Sequence, residues 1–270
     1  MADTQGGMLG EQRRALILAE VRRRGGVRVN ELTRLLGVSD MTVRRDLDVL
    51  ARQGMVAKVH GGAVPADSAS GHEPGFEAKA AQQPLAKEAI ARRAVELITP
   101  GSVVAMSGGT TVYALARRLT GVERLTVVTN SVRVAEVFHP PGTRAPDPSQ
   151  GPTVVLTGGV RTPSDSLVGP IADLAIRSLN FDLLVMGTHG LSARRGLTTP
   201  NVAEADTNRE FFQAARRVAV LADHSKWGVV GMCRFAGLEE VDVLVTDSGL
   251  DEAAREEAAS VVGDLLIADV

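Results

Sequence analysis

The chain has 270 residues, 44% of them hydrophobic, enough for a small domain of about sixty residues and a larger one near two hundred. No apolar run reaches the ~18 residues of a membrane-spanning helix, Cys233 stands alone, and His60, His72, His139, His189 and His224 show no ligand spacing, which excludes a disulfide scaffold and a cysteine metal cluster. The formal net charge is −2, yet residues 11–65 hold eleven Lys or Arg against six Asp or Glu, so positive charge is gathered where phosphates could be met.

In that basic segment, residues 11–24 read as a helix with Ile17, Leu18 and Val21 inward, stopped by Gly25-Gly26. A short helix follows from Asn30, as its cap, to Leu36, burying Leu32 and either Leu35 or Leu36. Gly37 then supplies a left-handed turn. Ser39 is a good N-cap for a third helix that can run to Gly54. Val43, Leu47 and Leu50 form its buried face, leaving Met41, Thr42, Arg44 and Arg45 outward. Residues 55–63, with Lys58 and His60, read as a β-hairpin. Helix, short helix, turn, helix and hairpin is the winged helix-turn-helix order. The domain is expected at 10–65, with the helix-turn-helix at about 27–46. Hydroxyls near a helix start and paired guanidinium groups suit a major groove, so Ser39, Met41, Thr42, Arg44, Arg45, Lys58 and His60 are the expected contacts to double-stranded operator DNA.

Residues 66–84, rich in Ala, Ser, Gly, Pro and Gln, read as a linker that Phe76 could anchor. Residues 139–152 carry too many prolines for helix or interior strand and read as a surface loop. Through residues 85–270, short β-branched runs (102–106, 125–129, 153–157, 183–186, 218–222, 243–246, 265–267) alternate with helical segments (85–98, 111–119, 170–179, 203–216, 251–262). That alternation predicts an α/β doubly wound domain, a mostly parallel sheet covered on both faces. Ligands on such sheets bind beyond the strands' carboxyl ends. The first strand ends in Ser107-Gly108-Gly109-Thr110-Thr111, where glycines and hydroxyls at a helix start form a candidate phosphate cradle. It lacks the Gly-Lys-Ser/Thr ending of a P-loop. Other strand ends contribute Asn130, Gly158, Gly159, residues 187–190 with Gly190, and Asp223-His224-Ser225-Lys226. Asn130 reads equally as a helix cap. His189 and His224 have no partner evident in the sequence.

Val38, Ser39, Thr42 to Leu47, Gly54 and the run His60 to Ala63 resemble the DeoR family of bacterial repressors. The resemblance continues through Lys87, Ser107 to Thr111, Thr129-Asn130, Thr157 to Gly159, Gly190, Gly196 to Thr199, Glu204 and Asp223 to Gly228, and so covers nearly the whole chain. It implies a C-terminal sensor domain similar in fold to ribose-5-phosphate isomerase, with Lys87 among the effector-binding residues. Two positions depart from the family pattern: Ser107 stands where an Asp is usual, removing a carboxylate that could orient sugar hydroxyls, and Asn208 where a Lys is common.

The expected function is a cytoplasmic, nucleoid-associated transcriptional repressor, a homodimer or homotetramer released from its operator by a phosphorylated sugar-like effector. No catalytic residue, metal, cofactor or membrane is implied. An isomerase-like enzyme fused to a DNA-binding module is the alternative from another class, although the isomerases' Asp-Gly-Ala-Asp-Glu and Lys-Gly-Gly-Gly runs are absent. A constitutive DNA-binding protein with an oligomerisation domain is a third reading.

Overall fold

The computed structural model describes residues 10–24, 27–59, 62–65, 75–140 and 151–270, with only the backbone at 22–24, 57–59 and 64–65. Gly25-Gly26, His60, residues 66–74 of the expected linker and 141–150 of the expected loop lie outside the described residues. The chain divides into two compact units, Met1–Pro74 and Gly75–Val270.

The first unit comprises α1 (Gly10–Arg24), β1 (Val27–Arg28), α2 (Val29–Leu36), α3 (Asp40–Arg52), β2 (Val56–Val59) and β3 (Gly62–Pro65). Ser39 caps α3 by accepting from the Thr42 amide at 3.2 Å, and Gly37 makes the left-handed turn at φ 64°. The second helix starts earlier than Asn30, because the Arg28 amide donates to the Glu31 carboxylate at 3.2 Å and closes its first turn. This register puts Val29, Leu32 and Leu36 on the inner stripe and leaves Leu35 57% exposed. β1 pairs with β3, and β3 with β2, both antiparallel, so the wing carries a third strand. A Cβ on Gly62 would lie 2.2 Å from the Val27 carbonyl oxygen, and only glycine lets β1 seat there.

Ile17, Val21, Leu32, Val43 and Val56 are fully buried in this unit. At roughly 1.5–3 kcal/mol per side chain, so small a core leaves a domain of this size marginal. Polar ties therefore weigh heavily. Asp46 on α3, 4% exposed, accepts from Arg13 Nε at 2.5 Å and lies 3.5 Å from Arg14 Nη1, joining α3 to α1.

The second unit opens with α4 (Phe76–Ala80), α5 (Pro84–Ala94), β4 (Val103–Met106), α6 (Thr110–Ala116), β5 (Thr126–Thr129), α7 (Val132–Phe138) and β6 (Thr153–Leu156). It continues with β7 (Val160–Arg161), β8 (Leu167–Val168), α8 (Pro170–Arg177), β9 (Leu183–Gly187), β10 (Gly190–Ser192), β11 (Gly196–Thr199) and α9 (Val202–Ala214). β12 (Val218–Leu221), β13 (Cys233–Ala236), β14 (Val243–Asp247), α10 (Glu252–Ala259) and β15 (Asp264–Ala268) complete it. Residues 75–84, expected in the linker, belong to this unit: Phe76 is buried edge-on against Tyr113 at 5.4 Å, and Pro84 opens α5.

Seven strands form one sheet in the order β15-β14-β12-β9-β4-β5-β6, every pairing parallel. Along β4, Val104 and Met106 join a core with α5, α6 and α7, while Ala105 joins one with α8, α9 and α10. The doubly wound α/β architecture follows from this alternation. β10, β11 and β13 make a separate antiparallel sheet, and β7 pairs with β8. Cys233 is partly exposed at the start of β13. The chain order reverses between β4 and β9, so the topological switch point lies at the carboxyl ends of those two strands.

Replacing Asp46 with Ala should destabilise the first unit by about 1–3 kcal/mol, below the ~3–5 of a fully buried pair because Arg13 retains 15% exposure. Urea unfolding followed by circular dichroism would measure it. A change under 0.5 kcal/mol would remove Asp46 from the tie.

Candidate DNA-binding and effector-binding sites

On α3, Met41 is 64% exposed, and Arg44 and Arg45 project outward beside it. The Ser39 and Thr42 hydroxyls lie 2.8 Å apart at the helix start. Arg44 Nε donates to Asp40 at 2.5 Å, both side chains being more than half exposed. Such a surface pair contributes about 0–1 kcal/mol and is readily given up to a phosphate or base edge. Arg45 has no ion pair among the described residues. Lys58 lies on β2, its side chain outside the description, as is all of His60.

In the second unit, the turn after β4 is fixed from two sides. Ser107 Oγ accepts from the Gly187 amide at 3.3 Å, joining the ends of β4 and β9. Asn130, 1% exposed, accepts from the Gly108 amide at 2.9 Å and donates to the Leu167 carbonyl at 3.0 Å. Its amide is engaged in shaping the loop. The helix-capping alternative falls to its neighbour: Ser131 Oγ accepts from the Val134 amide at 3.3 Å.

The candidate glycines separate by the space beside them. A Cβ would meet Ser166 Oγ at 1.9 Å on Gly108, the Val168 carbonyl oxygen at 2.7 Å on Gly159, and the Val229 carbonyl oxygen at 2.2 Å on Gly190. These three are glycine because chain packs against them. Gly158 would make an ordinary contact with Ile171 at 3.5 Å. Gly109 has the most room, with φ 147° and its nearest neighbour, Gly187 Cα, 4.0 Å away. Thr110 is partly exposed as the first residue of α6, and Thr111 is buried.

Lys87, on α5, is 4% exposed. Its ammonium donates to the Lys79 carbonyl and, at 2.6 Å, to the Gln82 carbonyl, at the end of α4. Burial pushes Lys87 down to about 8; the carboxylate of Asp223 opposes that shift, and the positive charges of Lys226 and Lys79 add to it. Lys87, Asp223 and Lys226 thus lie within electrostatic reach of one another at the end of β12. Asp223 is buried and caps the following turn through Ser225, and Lys226 is partly exposed.

His224 has a partner the sequence did not reveal. Its Nδ1 lies 2.7 Å from Asp247 Oδ2, and Asp247, 1% exposed, also accepts the His224 and Gly249 amides. Both residues sit at the carboxyl ends of adjacent parallel strands, β12 and β14. Knowing the strand order would have found the pair.

A family model described as a DeoR-like helix-turn-helix domain matches residues 13–69, and one described as a DeoR C terminal sensor domain matches residues 82–248. The chain belongs to the DeoR family. It is 39% identical over 254 residues to the HTH-type transcriptional regulator GlpR of Haloferax volcanii, covering 94% of this chain and 96% of that one. It is 33% identical over 247 residues to a putative aga operon transcriptional repressor of Escherichia coli O157:H7, covering 91% and 89%. A solved D-ribose-5-phosphate isomerase in complex with phospho-erythronic acid aligns over 52% of each chain at 14% identity and a TM-score of 0.37, a distant likeness that bears on neither activity nor ligand. This DeoR-family chain is thus a DNA-binding transcriptional regulator, and no helix of its described residues is long and apolar enough to cross a membrane.

Arg45→Ala should weaken binding to a DNA fragment selected by the protein from a random pool by about 1–3 kcal/mol, with unchanged circular dichroism. Arg44→Ala should cost less, because its side chain must first leave Asp40. The reverse ranking in fluorescence anisotropy would contradict this geometry.

Lys87 also gives stability a pH dependence. Its folded-state pKa of about 8 lies below the ordinary 10.5, so the cost of burying the charge is fully present below pH 8 and is relieved as pH rises from 8 towards 10.5. Urea midpoints across that range should therefore favour the wild type over Lys87→Met increasingly with pH, by at most about 3 kcal/mol at ~1.4 kcal/mol per unit. A constant difference would contradict the depressed pKa.

Proposed function

We propose that this regulator is a cytoplasmic, nucleoid-associated repressor that holds double-stranded operator DNA through α3 and the wing and is released by a phosphorylated sugar-like molecule at the switch point of its sensor unit. The observation that best supports the effector site is the open flank of Gly109 beside Gly187, at the carboxyl ends of β4 and β9. An anion there would take amide hydrogens of residues 109–111 and the Thr110 hydroxyl. Lys87 and Lys226 bias the neighbouring strand end towards negative charge. The putative aga operon transcriptional repressor among the relatives supports negative control.

Release follows if the effector favours one arrangement of the protein over another. Lys87 offers the contact through which it can do so, because its ammonium is shared with the carbonyls ending α4, the first helix after Pro74. A charged hydrogen bond is worth roughly 1.5–3 kcal/mol, enough to change DNA affinity tenfold or more. Two or four copies would place a helix-turn-helix on each operator half-site.

A second reading, an enzyme, is favoured by the His224–Asp247 pair, since a buried carboxylate that orients an imidazole is the arrangement of a general base. Incubating the protein with ribose 5-phosphate, fructose 1-phosphate or glucose 6-phosphate and following conversion by NMR separates the two. Turnover that disappears in His224→Asn would establish the enzyme.

For the repressor, one of those sugar phosphates should lower affinity for the selected DNA at least tenfold, while inorganic phosphate alone acts weakly. Gly109→Val should lose that response and keep its DNA affinity without effector, since the substitution forces a side chain into a φ of 147° on the open flank. A variant that still releases DNA normally would move the site elsewhere on the sensor.

A further inference from the structure

α4 begins at Phe76, close in sequence to Pro74, where the first unit ends. Its start is held by side chains that trace back to the turn after β4 by separate routes. The shorter route runs along α6. The Gly109 carbonyl accepts from the Tyr113 amide at 2.9 Å in the first turn of that helix, and the Tyr113 ring meets Phe76 edge-on.

The longer route passes through the turn between β7 and β8. Ser166, 2% exposed, stands where a Cβ on Gly108 would strike it, and it pairs with Ser131 in an antiparallel bridge. The turn that carries Ser166 is stapled internally: the Asp165 amide donates to the Thr162 carbonyl at 3.1 Å and the Ser166 amide to Thr162 Oγ1 at 3.2 Å. Close-packed, stapled groups pass on strain instead of absorbing it, so a displacement at Ser166 reaches Asp165. Arg133 spans the remaining gap. Its Nε donates to Asp165 at 2.8 Å, its Nη2 to Glu77 at 3.0 Å, and its guanidinium lies 5.1 Å from the centre of the Phe76 ring. The same turn also meets the chain just ahead of α4, since a Cβ on Gly75 would lie 3.5 Å from the Pro163 carbonyl oxygen.

We propose that Arg133 and Phe76 couple the effector turn to the chain that leads into the DNA-binding unit, so that occupation of the turn changes how firmly the start of α4 is docked. The inference rests on the effector site proposed at Gly109 and adds to it the contact that reads its state. Both routes end on Phe76, and the Arg133 bridge is unequal at its ends. The Asp165 side chain is 12% exposed, whereas that of Glu77 is 78% exposed, so the bond to α4 contributes little stability and is free to break and re-form. Arginine suits the bridge because a planar fork reaches both carboxylates at once, which a lysine ammonium does not. Lys87 holds the opposite end of α4, and the helix is thus secured at each end by a different cation.

Amide hydrogen exchange of the full chain, read by mass spectrometry without ligand, tests the connection. Asp165→Asn alters the end of the bridge remote from α4. Residues 75–82 should nevertheless exchange about threefold faster, while residues 183–187 in β9 keep wild-type protection. Arg133→Lys retains the charge and loses the fork, and should act alike. Wild-type protection of residues 75–82 in Asp165→Asn overturns the coupling, because a change confined to Arg133→Lys would mean only local support of α4. Should circular dichroism show Asp165→Asn unfolded, the exposed Glu77→Gln takes its place in the reverse direction: faster exchange at residues 162–168 supports the coupling, and unchanged exchange overturns it.

Release of DNA gives a second readout. Whichever of ribose 5-phosphate, fructose 1-phosphate and glucose 6-phosphate frees the selected DNA from the wild type should raise the Tm of Arg133→Lys as it does that of the wild type, yet roughly tenfold more should be needed for release. Equal release concentrations overturn the coupling. If none of the three acts on the wild type, the effector reading fails by itself, and hydrogen exchange still decides whether the turn and α4 are joined.

Discussion

Every strand of the central sheet runs in the same direction, and the chemistry of the second unit depends on that constraint. Parallel strands require crossover helices and deliver all their carboxyl ends to one side of the molecule. Residues far apart in sequence, such as Ser107 and Gly187, or His224 and Asp247, are thereby brought within hydrogen-bonding distance. The strand order reverses between β4 and β9, so successive helices leave their carboxyl ends towards opposite faces.

The turns at those carboxyl ends are held by buried polar groups that satisfy one another. Thr129 Oγ donates to the Met106 carbonyl at 2.6 Å and accepts from the Ser131 amide at 3.0 Å. Asp165, at φ 63°, receives Arg133 at 2.8 Å and Arg161 at 2.7 Å. Burial alone would raise the Asp165 pKa, but the two guanidinium groups outweigh it and hold the carboxyl below its usual range. Arg133 also pairs with Glu77 at 3.0 Å and lies over the Phe76 ring, fastening α4 to α7. A loop supported in this way can present backbone amides without rearranging for each encounter.

The sequence was most legible where a local signal had a single physical meaning. Ser39 as a cap, Gly37 as a left-handed turn and the Val43-Leu47-Leu50 stripe each depend on near neighbours, and the recognition helix follows from them. The alternation of apolar runs with helices similarly disclosed the α/β unit. Short elements were hidden: β1 has two residues, and α7, with three β-branched residues among seven, looks as much like strand as helix. Glycines were ambiguous, since the same residue type serves tight packing at Gly108, Gly159 and Gly190 and an open flank at Gly109. Long-range partners such as Asp46 with Arg13 carried no periodic signature, because their pairing depends on the fold itself.

The buried amine of Lys87 also makes the sensor's charge a property of its surroundings. Because burial lowers its pKa to about 8, this amine gives up its proton nearer to neutrality than an exposed lysine does. An anion lodging beside it would draw a fraction of a proton from the medium. The heat of that event would change with the ionisation enthalpy of the buffer, and its affinity would decline in alkaline solution. Acidity and ligand concentration would then act on one lysine as a joint signal.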